Sequence, residues 1–154
     1  MLAHLMSVRQ ADISDKPVVF REATATGRIM LKRATLELLR DGALEKGDPL
    51  AISKTMAILA VKKTPEMLAL CHPLRIEHVE VVETVLEDSI VVTATVSAHE
   101  KTGVEMEALT AVSVALLNIW DVVKAYEKDK AGQYPETKIE GIHVVEKVKR
   151  SGRS

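Results

Sequence analysis

Ile90-Val91-Val92-Thr93-Ala94-Thr95-Val96-Ser97-Ala98-His99 puts Ile90, Val92, Ala94, Val96 and Ala98 on one side of the chain. Val91, Thr93, Thr95, Ser97 and His99 fall on the other. Apolar residues at every second position describe a strand with one face on a core. Upstream, Arg75 to Glu87 is also rich in β-branched residues, and Glu87-Asp88-Ser89 joins the two runs as a hairpin. Downstream, a long helix is predicted from about Val104 to Lys128. Earlier in the chain, alternation from Val18 predicts a strand, with Val19, Ala23 and Ala25 on one face and Thr24 and Thr26 on the other. Thr137 to Lys149 predicts a last strand whose apolar parity changes between Ile139 and Ile142, which places a bulge at Gly141.

Three helical stretches lie between the first strand and the hairpin. Leu31, Ala34, Leu38 and Leu39 have helical spacing, and Gly42 is placed to end that helix. Asp48-Pro49 opens a second helix, with Asp as N-cap and Pro at the first helical position. This helix runs to about Lys63 and is apolar on nearly every side except Ser53-Lys54-Thr55, so it is expected to be covered on two faces. Thr64-Pro65-Glu66 repeats the cap signal and predicts a short further helix to about Leu70. Cys71-His72-Pro73 cannot extend it, because a residue before proline is pushed out of helical geometry. The order strand, helices, strand, strand, helix, strand is the split βαβ pattern of an α+β, ferredoxin-like fold. That fold has one antiparallel sheet with helices packed on one face. No internal repeat or linker divides the chain, so residues 1–154 are expected as one domain with loose ends at 1–16 and 150–154.

Composition narrows the partners. The chain has 154 residues, a formal net charge of -1 and only 3% aromatic residues, which are Phe20, Trp120, Tyr126 and Tyr134. A broadly basic nucleic-acid surface and an aromatic stacking platform are both disfavoured. The single cysteine, Cys71, excludes an intrachain disulfide and fits a reducing compartment. Met1 to Met6 is too short and polar for a signal peptide. The apolar stretch Ala111–Val123 falls short of the roughly 20 residues that span a bilayer. A cytoplasmic protein without membrane partners is expected.

The long helix carries the first candidate chemistry. Glu107, Thr110, Ser113, Asn118, Asp121, Lys124 and Lys128 gather on one side, with Glu105 off this stripe. A solvated face explains the stripe equally well, and Asp121–Lys124 could be a simple surface ion pair. The middle of the stripe is small and includes Leu117, however, which suits contact with another element. Glu107 and Asp121 are 14 residues apart, or roughly 21 Å along a helix. If both serve one small substrate, the site must draw on two subunits, with an antiparallel pair of these helices at a two-fold interface. A zinc site is disfavoured, since no Cys-x-x-Cys is present and His78 and His99 lack ligand spacing. His72 is more plausible as a substrate-binding residue in a loop. Lys46-Gly47-Asp48 reads as a capped polar loop, or as one that holds the Lys46 cation near a helix start. Glu100-Lys101-Thr102-Gly103 lacks phosphate-loop spacing.

Two stretches, Leu70-Cys71-His72-Pro73-Leu74 and Lys101-Thr102-Gly103-Val104-Glu105-Met106-Glu107-Ala108-Leu109-Thr110-Ala111, resemble the signatures of the MoaC family of cyclic pyranopterin monophosphate synthases. Asp12-Ile13-Ser14, Arg21-Glu22-Ala23, Lys46-Gly47-Asp48 and Asp121-Val122-Val123-Lys124-Ala125 are similar as well, so the likeness runs from about Asp12 to Asp129. The resemblance implies a lyase of molybdenum cofactor biosynthesis. Its substrate would be a nucleotide triphosphate, 3′,8-cyclo-7,8-dihydroguanosine 5′-triphosphate, with pyrophosphate released and no cofactor. It implies Lys46, Asp121 and Lys124 as catalytic residues, and Leu70, Cys71, His72, Met106 and Glu107 as substrate-binding residues with Glu105 close by. It also implies a homohexamer, a trimer of dimers with the site at the dimer interface. The implied chemistry needs proton transfers, which a lysine of lowered pKa beside a carboxylate can perform. A non-catalytic nucleotide-binding regulatory module on the same layout is the competing class, and a plain oligomerisation domain the third.

Overall fold

Alternation in the first strand, with alanine and glycine rather than large side chains on its inner face, lets a helix lie close against the sheet. In the computed structural model, which describes residues 7–151, that strand is β1 (Val19–Met30). It is followed by α1 (Arg33–Arg40), α2 (Pro49–Met67), β2 (His78–Val85), β3 (Ser89–Glu100), α3 (Glu105–Glu127) and β4 (Lys138–Arg150). The strands form one antiparallel sheet in the order β2-β3-β1-β4. This is the expected α+β, ferredoxin-like arrangement. Ala23, Ala25, Val92, Ala94 and Val96 of the sheet share a core with Ala108, Ala111, Val112, Ala115 and Ile119 of α3. On the opposite face, hydroxyl pairs link the two central strands, Thr24–Thr95 at 2.9 Å and Thr26–Thr93 at 3.1 Å. Residues 1–6 and 152–154, at the ends expected to be loose, lie outside the described residues.

At Gly27 side chains of both α3 and β4 press close on the β1 backbone. A Cβ there would lie 2.8 Å from Ile142 Cγ1 and 3.0 Å from Val112 Cγ1, closer than packed carbons tolerate. The bulge expected at Gly141 is present: Thr26 pairs with His143 but Arg28 with Glu140, leaving one extra residue in β4. Gly141 takes a φ of 68°, which suits the left-handed position of such a bulge.

Two expectations for α2 are corrected. Thr64-Pro65-Glu66 does not open a new helix; α2 continues through Pro65 to Met67. The proline stands in the last turn, where it removes one internal hydrogen bond, while the Thr64 hydroxyl bonds back to the Ala60 carbonyl at 3.0 Å. Nor do the described residues cover α2 on two faces. Ala57, Ala60 and Val61 are buried, but Ile52 and Leu59 are exposed. Ser53, read as polar surface, is buried and donates to the Glu83 carboxylate of β2. β2 is also shorter than the predicted Arg75–Glu87 run. At its upstream end the Glu77 carboxylate takes the His99 N–H, so a side chain replaces a ladder partner.

By length and composition α3 would pass for a bilayer-spanning helix, yet its small and branched residues are packed against α2 and the sheet. Its last residue, Glu127, is fully buried. That carboxylate accepts from the Lys32 N–H at 3.1 and 3.2 Å, from the Thr35 hydroxyl, and from the Thr137 hydroxyl at 2.8 Å. Lys32 is the N-cap of α1 and has no side-chain cap of its own, so Glu127 closes that helix start from outside. Truncation would leave an N–H and two hydroxyls unmet. Glu127→Ala is expected to lose about 3 kcal/mol or more of stability in urea unfolding, with a smaller loss for Glu127→Gln. A loss under about 1 kcal/mol for Glu127→Ala would remove this role.

Candidate active site

The residues implied as catalytic come together at the C-terminal half of α3. Asp48 accepts from the Leu50 N–H at 2.8 Å and caps α2, which sets the preceding Lys46 against α3. Lys46 Nζ donates to the Asp121 carbonyl at 3.0 Å and lies 3.4 Å from Asp121 Oδ2. Lys124 Nζ is 3.0 Å from Asp121 Oδ1. One carboxylate thus holds two ammonium groups. The hydrogen bond from Lys124 and the charges of Lys124 and Lys46 keep the Asp121 carboxyl below its ordinary range. The same contact with Asp121 raises Lys124. This corrects the expectation of a lysine of lowered pKa: all three side chains are solvent-exposed, so the ion pair outweighs desolvation and Lys124 stays protonated. Leu117, Trp120 and Ile139 form an apolar wall beside Asp121 and Lys124. Trp120 is braced edge-on by Tyr134 at 5.1 Å between ring centres.

The residues implied as substrate-binding come together at the other end. Pro73 keeps the chain extended after α2, and this segment faces the first turn of α3. Leu70, Cys71, His72, Glu105, Met106 and Glu107 line one cleft of about 340 Å³. The segment at 7–16 forms no strand or helix, but it runs along this cleft. Its Ala11 carbonyl lies 2.8 Å from His72 Nε2, and the Ser14 carbonyl accepts from Lys101 Nζ at 3.1 Å. Asp12 and Lys16 also line the cleft.

The two carboxyls of the first turn differ in environment. Burial acts to raise Glu105, but its ion pair with Lys147 at 2.5 Å and the Arg21 charge hold it below the usual value. Glu107 is only 4% exposed, although the sequence placed it on a polar stripe. Burial pushes its carboxyl up to about 7, against its own backbone N–H and with added repulsion from Glu105. Among the described residues its Oε2 has no hydrogen-bond partner. Burial and the nearby Glu107 charge raise the Cys71 thiol.

The nine expected residues therefore form two groups, not one. Lys46, Asp121 and Lys124 do not meet the cleft in one chain, because Glu107 and Asp121 stand roughly 21 Å apart along α3. Lys16 and Lys147 were not singled out by sequence reasoning. Lys16 sits in a stretch without periodicity, and Lys147 lies in a strand among other charges. Glu127 did leave a signal: it continues the inward spacing of Ile119 and Val123.

The MoaC family profile matches residues 10–150. A probable cyclic pyranopterin monophosphate synthase of Pyrococcus horikoshii is 57% identical over 142 residues, covering 92% of this chain and 89% of the relative. One of the same name from Sulfurisphaera tokodaii is 54% identical, covering 90% of this chain and 91% of the relative. A Methanothermobacter thermautotrophicus relative, 52% identical over 92% of this chain and 89% of its own, is named a probable cyclic pyranopterin monophosphate synthase accessory protein. With a matching profile over nearly its whole length and relatives this similar, the chain belongs to the MoaC family.

Proposed function

We propose that this chain is a cyclic pyranopterin monophosphate synthase, a lyase of molybdenum cofactor biosynthesis. It converts 3′,8-cyclo-7,8-dihydroguanosine 5′-triphosphate to cyclic pyranopterin monophosphate and releases pyrophosphate. The observation that carries this reading is the cleft, whose opposite walls are built from the two signature stretches, Leu70–His72 and Glu105–Glu107. In this reading the cleft residues bind the nucleotide, with His72 and Glu107 at its base or ribose. Lys46, Asp121 and Lys124 do the chemistry. Rings must open and re-close, and a hydroxyl of the sugar-derived part must attack the α-phosphorus, lose its proton and displace pyrophosphate to close the cyclic phosphate, so protons must move and negative charge must be met. Lys124, held protonated by Asp121, is a proton donor. Lys46 is a second acid or a clamp on the departing phosphates.

The site is completed by a second copy of the chain. The roughly 21 Å between Glu107 and Asp121 is bridged if two α3 helices pair antiparallel. Glu107 of one copy then approaches Asp121 and Lys124 of the other. Leu117 and Met106, exposed on α3, are apolar surface for that contact to cover. We extend the reading to a hexamer of three such dimers, a cytoplasmic enzyme that needs no cofactor and binds neither nucleic acid nor membranes.

Two experiments test it. Lys124→Ala and Lys46→Ala, folded by circular dichroism, should each lower pyrophosphate release from the cyclised triphosphate about 100-fold or more. Near-normal turnover in both would overturn the mechanism, and no turnover by the unaltered chain would favour a non-catalytic nucleotide-binding module. Separately, Asp121→Ala and Glu107→Ala chains should be inactive alone. Refolded together they should regain roughly one quarter of activity, since half the dimers are mixed and one of two sites in each is intact. No recovery would place the whole site in one chain.

A further inference from the structure

The first turn of α3 sets side by side two carboxyls that the fold treats in opposite ways. Glu105 is tied to Lys147. Glu107 is as removed from solvent as the core, and its Oε2 meets no donor among the described residues. Glu127, the other buried carboxylate of α3, receives an N–H and two hydroxyls. Burial without a partner is costly for a neutral carboxyl and far more so for a charged one. Apolar side chains stand beside Glu107, with Val61, Pro73, Leu74 and Ile76 around a small cavity of about 70 Å³. Within one chain the charged or titratable groups on the neighbouring elements are Lys62 of α2, Cys71 and His72 of the next segment, Asp12 and Lys16 of the N-terminal segment, and Glu105; in the dimer proposed above, Lys46, Asp121 and Lys124 of the second copy join them. None of those in the same chain donates a hydrogen bond to Oε2.

We propose that Glu107 meets the substrate as a neutral carboxylic acid whose Oε2 proton is donated to the carbonyl oxygen of the purine-derived base. The inference rests on the function proposed above and assigns the form in which one of its binding residues works. The ionised Glu105 beside it disfavours a second negative charge in the cleft, the apolar wall disfavours any charge at all, and the ammonium groups that the second copy brings are already held by its Asp121 and face the phosphates in the proposed function. A ring carbonyl supplies the acceptor that the fold leaves out. Glu107 is a recognition residue in this assignment, while proton transfer remains with the Lys46–Asp121–Lys124 group.

The test compares the unaltered chain with Glu107→Gln, which keeps the shape and an N–H donor but cannot ionise. With a carboxyl near 7, the neutral form of the unaltered chain falls about tenfold per pH unit above that value. Groups common to both proteins cancel in a ratio. The kcat/KM of Glu107→Gln divided by that of the unaltered chain should therefore rise about tenfold between about pH 7.5 and 8.5. A flat or falling ratio overturns the proposal and means that Glu107 binds as a carboxylate accepting from the base N–H groups; the proposed function would still stand.

A second measurement needs no turnover. A carboxyl raised in the folded state contributes stability that is full below its unfolded value, about 4.3, and is lost as pH rises through about 7. Glu107→Gln should then unfold at higher urea than the unaltered chain at pH 8, with the gap narrowing by pH 5. Equal midpoints at pH 8 overturn the proposal even if the cyclised triphosphate is not turned over, an outcome that would count separately against the proposed function.

Discussion

Everything in this molecule depends on how closely α3 lies on the sheet. Ala108, Ala111 and Ala115 of the helix meet a sheet face built from Ala23, Ala25, Gly27 and Ala94. Small residues on both sides let the backbone layers approach, and larger branched side chains fill the flanks. No aromatic residue is among the fully buried core residues, while Trp120 and Tyr126 pack against the core's edge. A straight helix held this firmly acts as a ruler, and both groups of functional residues are fixed by their position along it.

The two ends of that ruler differ electrostatically. At the C-terminal end, exposed Asp121 gathers two ammonium groups in water, where an ion pair keeps each partner charged. At the N-terminal end, Glu107 is withdrawn from water and left without a partner, so its charge is discouraged. In the function proposed above, one end meets the charge of the phosphates and the other an uncharged base. That function is compatible with a net charge of -1, because local geometry and not total charge sets the field at a small ligand.

The secondary structure was largely legible in the sequence, for reasons visible in particular residues. β3 alternates without a break because one face is core and the other carries threonines. Asp48-Pro49 starts α2 by side-chain capping, which is a local interaction. Gly141 marked its bulge through a change of parity that a regular strand cannot show. Pro65 and Ser53 were misread for different reasons. Pro65 stays helical because it falls in the final turn of an already stabilised helix. Ser53 is buried because Glu83, thirty residues away, receives its hydroxyl.

The candidate site divides along the same line. By itself the sequence determined the fold class and the 14-residue separation of Glu107 from Asp121, which follow from local spacing, and it carried the two stretches that resemble the family's signatures. Only the tertiary structure decided that Lys46 reaches Asp121, that Lys124 is held protonated, that the segment before β1 runs along the cleft, and that Glu107 is buried without a partner. Those facts depend on desolvation and on Coulomb contacts between residues far apart in the chain, which no local pattern encodes.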